Sequence, residues 1–415
     1  MPRFEPFHGE RYAAELPLDL LVAPPYDVIS PIERTVLLAR HPANAVVIEL
    51  PVAPGAEPAA DAYVRAARTL ADWRSRKVLV RDRHRALYPY RMTVAGHQTT
   101  GVIGALQCAP DTGDVLPHEE TTPRDMTDRL ALLEACRANV SPIWGLSLGS
   151  DLGDRFRLES PPAAQATVDG VCHELWVLDD PDQVAAVCEA VDGAGIVLAD
   201  GHHRFATAQA YAAKQQRGAA PGSSGASWIM AFVVELDPRE LQVGPIHRVL
   251  SVPGGAGELV AAVSRWFDLE PCARDDETVT AVTPVASTPT RPPAGAADRG
   301  LQLVTGSGAW CLHPTSATVA AASPPAPLSS SDVVDSSLVS VALGDLPEVA
   351  VRFDHDERRV LDAVRGGEAD AALLLRPVPV EVIRRWAAAG HRMPAKSTYF
   401  WPKPRTGMVW RDLDG

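Results

Sequence analysis

The chain has 415 residues, more than one hydrophobic core usually supports, so two packed units are expected. Its 46% hydrophobic and 22% charged residues lie near globular averages, which argues against a collagen-like chain, a coiled-coil rod and wholesale disorder. With 52 acidic against 39 basic residues the net charge is −13; this speaks against a general nucleic-acid binder yet leaves room for a local cationic pocket that takes a small anion.

The six cysteines (Cys108, Cys136, Cys172, Cys188, Cys272 and Cys311) are scattered, with no CxxC pair, as free thiols in a reducing compartment would be. The start, MPRFEPFHGERY, has no apolar leader core, and no later run reaches membrane-spanning length. A soluble, cytoplasmic protein with neither nucleic acid nor membrane as partner is therefore expected.

In chain order, Ser30-Pro31 with Glu33 predicts a helix start, Ser30 capping and Pro31 in the first turn. His41-Pro42 ends that helix, and the apolar run Ala45–Leu50 reads as a strand. The spacing of Tyr63, Ala67, Leu70 and Trp73 predicts a helix over Ala62–Arg76. Ala86–Thr93 and Thr100–Gln107 flank Ala95-Gly96 as a hairpin would. Thr122-Pro123-Arg124-Asp125 is a second helix start, with Met126, Leu130 and Leu133 on one face.

Further on, the strand Ile196–Ala199 runs into Asp200-Gly201-His202-His203-Arg204 and then the Ala-rich helix that opens at Phe205. Trp228–Glu235 is an apolar strand. Residues 273–330 are rich in Pro, Thr and Ala and read as a linker-like stretch with a possible strand pair. After it come a strand (Val349–Phe353), a helix (Glu357–Val364), a strand (Ala371–Leu375) and a helix (Val380–Ala389). The expected organisation is 1–272, a linker-like 273–330 and an α/β region over 331–415, in a mixed α/β (α+β) protein.

Chemistry concentrates at the junction Ile196–Arg204. A buried strand there enters a glycine turn and a helix begins at once, so unpaired N–H groups and the positive dipole end face outward. Gly201 lets backbone approach a phosphate, Arg204 offers a planar fork of donors, and His202 and His203 add donors or protonatable charge. Asp200 could cap the helix, hold a histidine tautomer or help place a metal. A capped helix with two ordinary histidines is the blander reading, but it does not call for an arginine beside them.

A second cluster, His118-Glu119-Glu120, precedes the Thr122 helix start; a carboxylate there could accept a hydroxyl proton or ligate Mg²⁺, or form a solvated acidic turn. A third, Lys396-Ser397-Thr398 followed by Lys403 and Arg405, could grip phosphate oxygens or protect an edge strand. His247-Arg248 forms a weaker pair, and Ala23-Pro24-Pro25-Tyr26-Asp27 a rigid entry loop. Gly145-Leu146-Ser147-Leu148-Gly149 fits the GxSxG string, but Asp151 to Asp154 offer no helix after it. No GxxxxGK[ST] or helix-opening GxGxxG is present. His118, His173, His202 and His203 lack the spacing of a zinc site.

Taken together, APPYDVIS (23–30), HPANAVVIELP (41–51), LPHEETTPRDMTDR (116–129), DGVCHELWVLDD (169–180), LADGHHRFATA (198–208), GPIHRVL (244–250) and MPAKSTYFWPKPRTG (393–407) resemble domain-of-unknown-function family 1015. The DGHHR turn is similar to the phosphate-binding turn of the ParB/sulfiredoxin-like superfamily, which includes free-serine kinases. The resemblance implies a ParB/sulfiredoxin-like core with an additional α/β C-terminal region. It also implies a Mg²⁺-dependent phosphotransferase that converts L-serine to phosphoserine with pyrophosphate, or ADP or ATP, as donor. It makes Gly201, His202, His203 and Arg204 the phosphate cradle, with Asp200 orienting that turn or the metal, and with Lys396, Ser397 and Thr398 as further phosphate contacts. His118 and Glu119 become the acid/base or metal candidates. The expected partners are thus a small-molecule acceptor and a phosphate donor. A phosphate-binding regulator without transfer, and a metal-dependent hydrolase, are the alternative readings.

Overall fold

Ala95 and Gly96 both take left-handed backbone conformations (φ +47° and +82°), the geometry that lets a two-residue turn follow the right-handed twist of its strands. They join β1 (Tyr88–Val94) to β2 (His97–Gln107), paired in register from Val94↔His97 to Tyr88↔Ile103. The computed structural model describes residues 2–53, 56, 60–108, 115–117, 123–215, 225–272, 300–346 and 348–414. The chain folds as two compact units, Met1–Glu240 with Pro402–Gly415, and Leu241–Trp401.

In the first unit the hairpin belongs to a mixed sheet with β3 (Val115–Pro117), β4 (Ile143–Ser147), β5 (Ala164–Val168), β6 (Val171–Leu175), β7 (Ile196–Asp200) and β8 (Trp228–Glu235). The order is β3-β7-β4-β8-β2-β1-β6-β5, with Phe4–Glu5 also pairing on β2. β7 runs parallel to β3 and antiparallel to β4, and β4 is parallel to β8. Every residue of β7 is buried, as a strand covered on both faces requires.

The helices of this unit fall in two groups, of which only one packs on the large sheet. α1 (Pro31–Arg40) starts as expected: Ser30 Oγ accepts from Glu33 N at 3.2 Å, and Glu33 Oε2 accepts from Ser30 N at 2.8 Å. The strand expected over Ala45–Leu50 is instead a single helical turn, α2 (Val46–Glu49). Asn44 Oδ1 accepts from Val46 N at 3.0 Å and Ala45 O from Glu49 N at 2.9 Å, so local capping overrides the β-branched run. Such a short apolar run carries no period of its own.

α3 (Ala60–Ser75) and α4 (Pro123–Cys136) pack with α2 around Tyr63, Leu70, Trp73, Leu132 and Trp410. α5 (Pro181–Asp192) and α6 (His202–Gln215) bury Val187, Val191, Phe205 and Ala208 against Ile143, Ile196 and Ile229. The last residues return to this unit: Trp410–Asp412 pairs with Gly9–Tyr12 and with Ala138–Asn139.

The second unit is built on an antiparallel sheet of β9 (His247–Ser251), β10 (Phe267–Pro271), β11 (Gln302–Thr305), β12 (Ala309–Pro314), β13 (Ala350–Asp354) and β14 (Ala371–Leu374). Its order is β10-β12-β11-β14-β9-β13, over a core that includes Leu250, Leu259, Phe267, Leu303, Leu338 and Leu373. The helices Glu357–Arg365 and Val380–Ala388 fall within a residue or two of their expected limits. β11, β12 and the helix Ser316–Ala321 lie in the stretch read as linker-like; residues 273–299 lie outside the described residues. The chain is a mixed α/β protein. Its two units part after Glu240 and after Trp401. No described helix is long and apolar enough to cross a membrane.

Candidate functional site at the mouth of a buried strand

Gly201 carries the chain from β7 into α6 with φ +89°, a conformation that L side chains rarely adopt. A Cβ there would meet Ile143 Cγ2 at 2.9 Å and Arg204 Nη2 at 3.1 Å, so both the backbone and the space around it call for glycine. Phe205 N donates to Gly201 O at 2.9 Å, which places His202, His203 and Arg204 in the first helical turn. The helix therefore opens three residues earlier than the Phe205 start expected from the Ala-rich run. His202 is buried and His203 half-buried.

Asp200, at the end of β7, is buried and organises the charges. Its Oδ2 accepts from Arg204 Nη2 at 2.8 Å, and its Oδ1 takes the Lys403 ammonium. Burial alone would raise this carboxyl, but Lys403 and Arg204 outweigh it and hold it at about 2. Arg204 Nη1 donates to Ser141 Oγ at 3.1 Å and Pro142 O at 2.5 Å. Its guanidinium thus lies back against the loop before β4, with a side-chain exposure of 10%. Desolvation opposes its charge, and the carboxylates of Asp200, Asp27 and Glu49 more than restore it.

Two further groups join through Ser141. Glu49, at the end of α2, is wholly buried; its Oε1 accepts from Ser141 Oγ at 3.1 Å and from Tyr26 N at 3.3 Å. Burial raises its carboxyl above the ordinary range, opposed by Arg129, Arg204 and the Ser141 bond. Arg129 on α4 donates Nη1 to Glu49 O at 2.7 Å, pairs with Asp128, and lies 4.1 Å over the Tyr26 ring. The loop read as a rigid entry, Ala23-Pro24-Pro25-Tyr26-Asp27, therefore contributes directly: Tyr26 touches Glu49 and Arg129, and the charge of Asp27 acts on Arg204.

These side chains border an open pocket that includes Glu49, Arg129, Asn139, Ser141, Arg204 and Thr207 among its lining. Among the described residues, three buried polar atoms of its lining side chains have no hydrogen-bond partner: Glu49 Oε2, Arg204 Nε and Thr207 Oγ1.

The other sequence candidates fall elsewhere. His118 and Glu119 lie outside the described residues. Lys396, Ser397 and Thr398 belong to the second unit, where Lys396 is exposed with φ +58°. Ser397 is buried and bonds Ser336 Oγ at 2.6 Å and Pro394 O at 2.5 Å. His247 and Arg248 are buried in the same unit; His247 Nδ1 accepts from Leu375 N at 3.1 Å, and burial lowers this imidazole to about 4. His173 is fully buried, with Tyr90 Oη at 2.7 Å from Nδ1 and Arg405 Nε at 3.4 Å from Nε2, so both ring nitrogens are engaged within the protein.

Mg²⁺ takes oxygen ligands, and the donor set at the turn does not offer them freely. Both Asp200 oxygens are bound by cations, and among the described residues no three His, Cys, Asp or Glu side chains cluster as metal ligands do. The described residues therefore do not assemble a Mg²⁺ site. Glu49, Ser141 and Thr207 escape sequence reasoning; the one signal is a glutamate inside the apolar run AVVIEL.

No curated protein matches the chain. Among solved structures, the free serine kinase in complex with AMP is 12% identical over 72% of this chain and 88% of that one, with a TM-score of 0.37. SbnI with C-terminal truncation from Staphylococcus aureus is 11% identical over 74% of this chain and 86% of its own, TM-score 0.37. A conserved hypothetical protein from Pyrococcus furiosus is 10% identical over 71% and 90%, TM-score 0.36. Likeness at this level transfers no activity to this chain. The family model for proteins of unknown function, DUF1015, matches residues 4–333, and the chain belongs to that family.

Proposed function

We propose that the protein is a phosphotransferase that moves a phosphoryl group to a small hydroxylated metabolite, free L-serine, from pyrophosphate, ADP or ATP. The observation that carries this reading is the bare, left-handed Gly201 at the mouth of the 14-residue helix α6, with Arg204 and Lys403 gathered on the Asp200 carboxylate beside it. Backbone N–H groups at such a mouth hold phosphate oxygens, and a glycine without Cβ lets them approach. Kinship of this turn to the ParB/sulfiredoxin-like superfamily forms part of the same reading.

Phosphoryl transfer asks a protein mainly to position two partners and offset charge. Here the turn through Gly201, His202 and His203 would hold the donor's phosphate, with Asp200 fixing Arg204 and Lys403 beside it. Glu119, assisted by its sequence neighbour His118, would take the acceptor's hydroxyl proton. Mg²⁺ in this reading is a partner of the donor's phosphate oxygens rather than of an all-protein cage.

Purified protein with Mg²⁺, serine and each donor in turn is expected to form O-phosphoserine, read by mass spectrometry. Glu119→Gln should lower the rate by at least about 10²-fold. Absence of phosphoserine with all three donors overturns the assignment.

A further inference from the structure

Buried polar atoms are normally paired, and leaving one unpaired is costly, more so when it belongs to a charged group. Among the described residues, three residues that line the pocket between α2, α4 and α6 carry such atoms: the Oε2 acceptor of Glu49, the Nε–H donor of Arg204 and the Oγ1 hydroxyl of Thr207. Their placement is not accidental packing at the end of a flexible side chain. Glu49 is anchored by two donors on its other oxygen and by Arg129 on its own carbonyl. Arg204 is anchored by three acceptors on its two terminal nitrogens. One hydroxyl, Ser141 Oγ, ties the two groups together. Each group is thus held rigid through one side while the other is left for something else.

A ligand that satisfies this set must bring a donor for Glu49 and an acceptor for Arg204. Both protein atoms belong to ionisable groups in a site removed from water, where charge-assisted bonds are roughly twice as strong as neutral ones. An ammonium next to a carboxylate meets both at once. We propose that this pocket binds the ammonium and carboxylate of a free α-amino acid, with Glu49 Oε2 receiving the ammonium, Arg204 Nε donating to the carboxylate and Thr207 Oγ1 completing the contact. The inference rests on the phosphotransferase reading for the acceptor's role, but the binding itself needs no donor. It makes Glu49 a specificity-determining residue: a hydroxylated acid without the amine, or an amino alcohol without the carboxylate, leaves one of the two charged groups unpaired.

Calorimetric titration of the full chain with L-serine, without any phosphate donor, tests the proposal beside 3-hydroxypropionate and ethanolamine. Serine is expected to bind at least tenfold more tightly than either analogue. Glu49→Gln should lose that preference over 3-hydroxypropionate, and Thr207→Val should weaken serine severalfold; circular dichroism checks that both variants fold. Equal serine affinity in Glu49→Gln and wild type overturns the proposal, as does a wild type that binds both analogues as well as serine. Transfer is measured separately. Glu49-dependent serine binding without phosphoserine supports the pocket and sinks the kinase reading, whereas phosphorylation of an alcohol that lacks the amine, with no serine preference, does the reverse.

Discussion

The two units treat buried polarity differently. In the second, the buried carboxylates are closed off by partners at the rim: Asp335 pairs with Arg376 at 2.6 Å and Asp332 with Arg385 at 2.5 Å, both arginines about half exposed. Among its described residues no buried side-chain polar atom lacks a hydrogen bond. In the first, Asp200, Arg204 and Glu49 lie deep and interlocked, and among the described residues three polar atoms on side chains around one pocket have no hydrogen bond. The ion pairs of Asp335 and Asp332 are completed, whereas Glu49 and Arg204 are bonded on one side and not the other. That distinction separates a stabilising network from a site more sharply than the mere presence of charge.

The largest expected effect comes from breaking each network in turn. Arg204→Met removes three hydrogen bonds and takes one cation from the buried Asp200, and should cost about 3–5 kcal/mol in chemical denaturation. Arg376→Met, with its guanidinium half in water, should cost about 1 kcal/mol or less. Equal losses would erase the contrast between the units.

Glycines offer a second comparison. Gly201 and Gly255 both have positive φ, but nothing lies within 4 Å of a Cβ at Gly255. Gly255→Ala should therefore show the backbone cost alone, about 1 kcal/mol. Gly201→Ala adds the contact with Ile143 and should cost about 2–3 kcal/mol. Thermal melts of the two variants measure the difference.

Acid titration sharpens the comparison further. His247 is held neutral at about 4, against 6.5 when unfolded. The unfolded chain therefore binds this proton first, and stability is lost as pH falls from 6.5 towards 4. Wild type should lead His247→Gln at pH 7 by a margin that narrows by about 2 kcal/mol at pH 5. Asp200, lowered from 3.8 to about 2, contributes stability that is full above pH 3.8 and lost as pH falls through 2. The gap between wild type and Asp200→Asn should accordingly hold at about pH 5 and close only below about pH 4. Urea unfolding at about pH 7, 5 and 3 separates the two.

Much of the fold is legible in the sequence. The Ser30-Pro31 cap, the Ala95-Gly96 hairpin and the β8 run are readable because their signals are local: a side-chain oxygen three residues from its N–H, a turn that needs positive φ, a continuous apolar stretch. Ala45–Leu50 reads wrongly as a strand because six apolar-rich residues carry no period that separates strand from helix. For the candidate site, DGHHR is visible as a glycine turn between strand and helix, but Glu49, Ser141 and Thr207 are not. They come from α2, the loop before β4 and α6, and only packing brings them to one pocket.

By itself, then, the order of residues determined what neighbours along the chain can decide: caps, turns, the glycine at 201 and the kinds of group available at the β7 mouth. Tertiary structure alone decided that Lys403, far along the chain, closes over Asp200, and that Trp410–Asp412 completes a sheet begun at Gly9. It also decided that Glu49 is buried with one oxygen unpaired. Burial and long-range pairing depend on which surfaces meet, and no local periodicity records that.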